Sequence, residues 1–334
     1  MSELTILVRN RRRKLLAIIL PIFLIASMIG GIFFGAVQFT FSDLTSAFQQ
    51  NDEANALILF NVRLPRLLVA AMAGSCLAAA GAILQGVMKN PLADPSIIGV
   101  TAGAGLAASV AMVALPQFGY LTPVFAFIGA FVAVLCIYGL SWEKGASPLK
   151  IILAGVAINA LCGALQSGIM ILYSDRVQAI LPWLAGGFQG RGWYHVEFVW
   201  PYVVGGLFLT LFAIRPLNLL LLGDNTAKLL GAPVERIRFL LILLAALLAG
   251  AAVSVAGLLG FVGLVVPHMI RLLIGSDSRY LVPFSIVGGA ALVVFTDSLA
   301  RTVFDPIELP VGILLACLGA PFFLYLLKRN SIRL

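Results

Sequence analysis

The chain has 334 residues, of which 61% are hydrophobic and only 11% charged, and its formal net charge is +8. Its mean hydropathy of +1.06 lies far from the balance of a soluble domain. Length alone would suit about two soluble domains, but no polar stretch is long enough to fold as one outside a bilayer. Composition therefore predicts an all-α, polytopic membrane protein, a single transmembrane domain over residues 1–334.

Apolar runs of span length predict about ten helices, near 15–37, 64–88, 94–115, 119–140, 149–172, 196–214, 239–256, 258–274, 280–300 and 309–327. The basic start, Met1 to Lys14, precedes an apolar run to Val37 that is as long as a full span and has no clear small-residue cleavage site, so it reads as an uncleaved first helix. In the second span no residue between Leu67 and Met88 carries a charge. Arg63 and Arg66 stand three apart around Pro65 at its mouth, where two cations on neighbouring helical positions can face one aqueous partner. Lys89 to Pro95 returns the chain to water.

The stretch from Phe239 to Ile270 is too long for one comfortable span and short for two with a loop. A turn near Ala256-Gly257 puts Arg236 and Arg238 on the side of Arg271 and Arg279, as the positive-inside rule prefers. With both termini inside, the inner segments also collect Lys89, Lys144, Lys150, Arg215 and Lys228. The outer side keeps Arg63, Arg66, Arg176, Arg191 and Arg301. The net charge is thus mostly topology, and no basic cluster with aromatics suggests a nucleic-acid surface.

Ala73-Gly74 with Ala80-Gly81 recurs at the same spacing as Ala249-Gly250 with Ala256-Gly257, an echo of the inverted repeats common in transporters. Small residues elsewhere, such as Gly99 and Gly103, suit close helix packing in lipid. Cys76, Cys136, Cys162 and Cys317 lie singly in apolar runs, without metal or redox spacing. His195 and His268 belong to no catalytic motif, and no phosphate-cradling glycine loop occurs, so no catalytic or metal-binding residue is assigned. Asp297, the clear intramembrane carboxylate, stands four residues before Arg301, a spacing that allows an ion pair near the outer interface.

The longest inner loop runs from Arg215 to Pro233. Within it a short helix-competent stretch is bracketed by Pro and Gly, with Asp224 near its start and Lys228 later, as the helix dipole prefers. By itself it is either an interfacial connector or a platform for a soluble partner.

Six blocks settle the class by resemblance: the run from RLPRLLVAAMAGSC at Arg63, IILAGVAINAL from Ile151, PWLAGGFQGRGW from Pro182, LLGDNTAKLLGAPVERIR from Leu221, AGLLGFVGLVVPHMIRLLIGSDSR from Ala256 and ELPVGILLACLGAPFFLYLLKR from Glu308. Together, over roughly residues 60–330, they resemble the permease subunits of ATP-binding-cassette importers for ferric siderophores, haem and cobalamin. The resemblance implies a ten-helix subunit that pairs with a second permease, identical or paralogous, in a bacterial cytoplasmic membrane. It also implies two ATP-binding subunits on the inner face, carrying ATP and Mg while this chain binds no cofactor, and an extracytoplasmic substrate-binding protein.

Carried over by motif, Arg63, Arg66 and Arg301 would meet acidic residues of that binding protein. The segment 216–235, with Gly223, Asp224, Ala227, Lys228 and Gly231, would dock the ATPase. Ser147 and Pro148 would lie at the inner gate. Asn159 and Gln166 are path-lining candidates from polarity alone. The expected function is inward translocation of an iron chelate, foremost a ferric siderophore, by alternating access; haem or cobalamin import is the alternative within the family. An ion-coupled carrier would need a coupling-ion site, and an intramembrane enzyme a catalytic cluster, that the sequence does not display.

Overall fold

The computed structural model describes residues 3–35, 37–49, 52–142, 147–303 and 307–329; Lys144, among the predicted inner cations, lies outside them. Each predicted span corresponds to a helix. Among the described residues seven helices are long and apolar enough to cross a membrane, and three shorter apolar ones, Val100–Ala114, Val262–Ile274 and Val311–Phe322, account for the remaining runs. In chain order the helices are α1 (Glu3–Phe33), α2 (Phe41–Phe48), α3 (Glu53–Leu57), α4 (Leu64–Val87), α5 (Val100–Ser109), α6 (Thr122–Leu140), α7 (Pro148–Leu172), α8 (Val177–Ala185), α9 (Trp193–Leu221), α10 (Asp224–Leu229), α11 (Val234–Ala256), α12 (Val262–Ile274), α13 (Ser278–Ala300) and α14 (Val311–Arg329).

Several boundaries differ from the sequence reading; α1 already starts at Glu3 and α11 at Val234. The third span opens as a 3-10 turn over Pro95–Ile98, capped by the Asp94 side chain, because prolines at 91 and 95 interrupt the helical ladder. The sixth span continues through Arg215 and Pro216 to Leu221, so the predicted loop 216–235 shrinks to α10 and its flanks. The eighth begins only at Val262, after a non-helical stretch from Gly257. The predicted turn at Ala256-Gly257 is where α11 ends, with Gly257 at φ +70°.

The centre of the bundle is made by α4 and α11, which pack on each other and are buried along most of their length. Both are rich in Ala and Gly on every side, so neighbouring backbones come close. A Cβ on Gly74 would run into the Gly289 carbonyl of α13, and one on Gly81 into Gly263 of α12. In lipid, where apolar side chains gain little by leaving the solvent, such close packing replaces hydrophobic burial as the force between helices. The large apolar residues point the other way: Ile18, Ile22 and Ile25 on α1, and Phe208 and Phe212 on α9, are exposed.

The two halves repeat each other. Each has a long central helix, α4 or α11, followed by a non-helical entry, a short helix, α5 or α12, and a long helix, α6 or α13. The central helix of each half packs on the third helix of the other, α4 on α13 and α11 on α6. Four apolar helices, α5, α6, α7 and α9, lie between α4 and α11, and an even number of intervening crossings makes the halves run inverted. The glycine echo does not mark this relation. Gly74 and Gly81 sit at tight helix contacts, whereas Gly250 has only ordinary contact with Ala130 and Phe127 and Gly257 ends its helix.

Candidate functional site

At the end of the bundle where α1 stops, five charged side chains form one cluster. A helix leaves its last carbonyls without partners, and here arginines supply them. Arg63 donates to the Ile32 and Val37 carbonyls with its guanidinium 4.2 Å from the Phe39 ring centre. Arg301 donates to Gly31 O at 3.2 Å. Cations at a helix C-terminus also complement its dipole.

Arg66 presents its fork to Asp297, Nε to Oδ2 at 3.0 Å and Nη2 to Oδ1 at 2.9 Å, and its other nitrogen reaches Glu308 Oε2 at 2.8 Å. The expected pair between Asp297 and Arg301 exists at 3.5 Å, but Arg66 is the better-placed partner. Arg63, Arg66 and Arg301 are only 3%, 6% and 4% exposed, and Asp297 1%. The expectation of exposed cations at a helix mouth is thereby corrected: all three arginines are turned inward to carbonyls and carboxylates. Local spacing could not show this, because Arg66 and Asp297 are 231 residues apart.

At the other end, Gly223 at φ +101° and Gly231 at φ +79° bracket α10. Nothing lies within 4 Å of a Cβ built on either, so the left-handed backbone, not crowding, calls for glycine at both. Ala227 seats α10 on the bundle, fully buried, while Lys228 is exposed and Leu229 is 87% exposed. Asp224 ties this short helix to both central helices. Its carboxylate accepts from Lys89 Nζ, just beyond α4, at 2.7 Å and from Arg238 Nη2 of α11 at 2.7 Å. Burial pushes the Asp224 carboxyl up, but the hydrogen bonds from Lys89 and Arg238 outweigh it and hold its pKa below the usual value. Arg238, 1% exposed, also meets Glu235 at 3.2 Å.

Asn159 and Gln166 fall on one face of α7 and line the same cavity, of about 400 Å³, with Ser96, Thr101, Val156 and Leu258. Asn159 Nδ2 donates to Ser96 O at 3.0 Å, and its amide oxygen has no partner among the described residues. Ser147 caps α7, its hydroxyl accepting from Lys150 N at 3.4 Å, with Pro148 in the first turn. The gate candidates thus sit at the start of the helix that carries the path candidates.

Sequence reasoning missed three participants: Glu308 as a ligand of Arg66, Arg238 as a buried anchor, and Gln85. Gln85, wholly buried on α4, donates to Gly263 O at 3.1 Å and accepts from Arg271 Nη2 at 2.9 Å, joining α4 to α12. The one available signal was Gln85 itself, the lone amide side chain in an apolar span, which must find partners. Among the described residues no group of His, Cys, Asp and Glu could hold a metal.

Residues 22–329 match the FecCD transport family. The chain is 39% identical over 325 residues to an Fe(3+)-citrate import system permease protein of Bacillus subtilis, covering 97% of this chain and 98% of that one. It is 40% identical over 330 residues to the hemin transport system permease protein of Yersinia pestis, covering 96% and 97%. With the cobalamin import system permease protein of Halobacterium salinarum it shares 41% identity over 284 residues, covering 84% and 76%. A solved metal-chelate type ABC transporter in an inward-facing conformation superposes with a TM-score of 0.85 at 30% identity, over 95% of this chain and 99% of that one. A helical bundle of this build, matched nearly end to end by such proteins, belongs to the FecCD transport family, and the chain is a non-enzymatic permease of the ABC-importer type.

Proposed function

We propose that this permease moves an iron chelate, foremost a ferric siderophore, into the cell by alternating access, driven by ATP hydrolysis on two separate subunits docked at α10. A second permease chain completes the path, and an extracytoplasmic protein delivers the substrate. The excess of Lys and Arg on the segments that include α10 and Lys89 supports a cytoplasmic position for that end and for both termini. The arginine cluster then lies outside. Buried as they are, Arg63, Arg66 and Arg301 would serve the binding protein by holding the surface it meets, not by touching it.

The observation that carries this reading is α10. It offers exposed leucines and Lys228 to a soluble partner, while Asp224 grips α4 and α11, so a push on α10 is delivered to the two central helices. The cavity beside α7 supports the substrate class. Its polar lining, Ser96, Thr101, Asn159 and Gln166, is neutral, and a bulky chelate needs a conduit that binds weakly enough to release it.

Reconstitution with the ATPase and the binding protein tests the proposal. Proteoliposomes should accumulate radioactive iron supplied as a ferric siderophore only when ATP is present. Accumulation driven by a proton or sodium gradient without the ATPase would overturn it. Uptake of haem or cobalamin in preference to every iron chelate would move the chain to the alternative substrate.

A further inference from the structure

On the lipid-facing side of the bundle, α6, α9 and α11 enclose an open groove of about 390 Å³. Its lining is apolar throughout, with Phe212 and Pro216 from α9, Phe131 from α6, and Ile237, Leu240 and Leu244 from α11 among its walls. Phe212 and Leu240 are more than half exposed. A groove of this kind in a membrane-crossing bundle is filled by an acyl chain or by another helix. Charge distinguishes the two.

At the end where α9 stops and α11 starts, the charged sequence neighbours of its walls are Arg215, next to Pro216, and Arg236 and Arg238, on either side of Ile237; Arg238 is buried against Asp224 and Glu235. Arg236 continues the lining stripe of α11 one turn further, since 236, 240, 244 and 247 recur at helical spacing on one face. Arg215 and Arg236 are exposed, and among the described residues neither has a hydrogen bond or ion pair. Every other arginine of α11, α12 and α13 has one: Arg238 meets Asp224, Arg271 meets Gln85 and Arg279 meets Asp277. An apolar groove flanked at one end by two exposed, uncommitted arginines is complementary to a molecule with an acyl tail and an anionic head.

We propose that this groove is a binding site for an anionic phospholipid, its acyl chain lying along α9 and α11 and its phosphate held by Arg236 with Arg215. Basic pockets between membrane helices have the chemistry to take such headgroups. The site would brace α9 against α11 directly beneath α10. The inference rests on the chain crossing a bilayer and not on which substrate it carries.

Native mass spectrometry of the full-length chain, released from micelles doped with phosphatidylglycerol or phosphatidylcholine, tests it. The parent should retain phosphatidylglycerol preferentially. Arg215→Gln with Arg236→Gln should reduce that preference by about five-fold for each arginine removed. Leu244→Trp, which fills the groove without touching either charge, should lower retention of both lipids. An unchanged headgroup preference in the double variant would overturn the proposal, as would undiminished lipid retention in Leu244→Trp. Loss of a chain dimer in Leu244→Trp, with lipid retention intact, would assign the groove to a second copy and overturn it likewise.

Discussion

Asp297 is the residue on which the outer cluster turns, since among the described residues it is the one carboxylate that pairs with both Arg66 and Arg301. Removing its charge leaves buried Arg301 without its carboxylate and Arg66 with Glu308 alone, so Asp297→Asn should destabilise the chain by about 3–5 kcal/mol. Thermal unfolding in detergent measures this, with Asp175→Asn as the control. Asp175 pairs with Arg176 at the surface, 74% exposed, and its loss should cost about 0–1 kcal/mol. Equal midpoints for the two variants would show that burial confers no special role on Asp297.

Acid sensitivity belongs to the same scale. Asp277 caps α13 and accepts from Arg279 Nη2 at 2.9 Å and from Asn218 Nδ2 of α9 at 3.1 Å. Arg279 foremost, despite opposing burial, and then Asn218 draw its pKa from 3.8 to about 2. Because the folded value is depressed, the stabilisation is complete above 3.8 and is lost as pH falls through about 2. The thermal midpoint should therefore drop over that window in the parent and flatten in Asp277→Asn; an Asn variant that is just as acid-sensitive would locate the acid-labile group elsewhere.

At the scale of elements, two devices join the helices. The first is close backbone contact. Gly74→Ala puts a methyl group against the Gly289 carbonyl and should cost about 1–3 kcal/mol through overpacking, whereas Gly168→Ala, with nothing within 4 Å of its Cβ, should not lower the unfolding midpoint. The second is the grip of Asp224. Asp224→Ala should leave α10 able to bind the ATPase through its exposed face but loosen its hold on α4 and α11. The ATPase should still co-purify and hydrolyse ATP, with uptake per ATP hydrolysed falling by roughly ten-fold, the effect of losing on the order of 1.4 kcal/mol of coupling. Parental transport by this variant would show that α10 acts through other contacts.

For the molecule as a whole, α7 poses the sharpest question, because most of its surface is uncovered. Its apolar residues Leu153, Leu161 and Leu165 are exposed, yet Val156, 64% exposed, shares a cavity with Asn159 and Gln166. If that side faces the path, Val156→Cys in a cysteine-free chain should react with a membrane-impermeant maleimide in the assembled transporter, while Leu165→Cys should react slowly or not at all. Silence at Val156 would make this side of α7 lipid-facing and remove Asn159 and Gln166 from the path.

The sequence by itself determined that the chain crosses a membrane, where its spans run and which transport family it resembles, because these follow from apolar run length, from charge placement along the chain and from local blocks such as LLGDNTAKLLG. It also located α10, whose flanking glycines at 223 and 231 announce their backbone in one dimension. Only the tertiary structure decided how charges are spent. Arg66 and Asp297, Asp224 and Lys89, and Gln85 and Arg271 are remote in sequence, and their pairing depends on which helix faces pack together. In spans that are apolar on every side, periodicity carries no signal for which face turns inward. That choice is made by close approach between helices, which is why arginines that looked free in the sequence are buried in the fold.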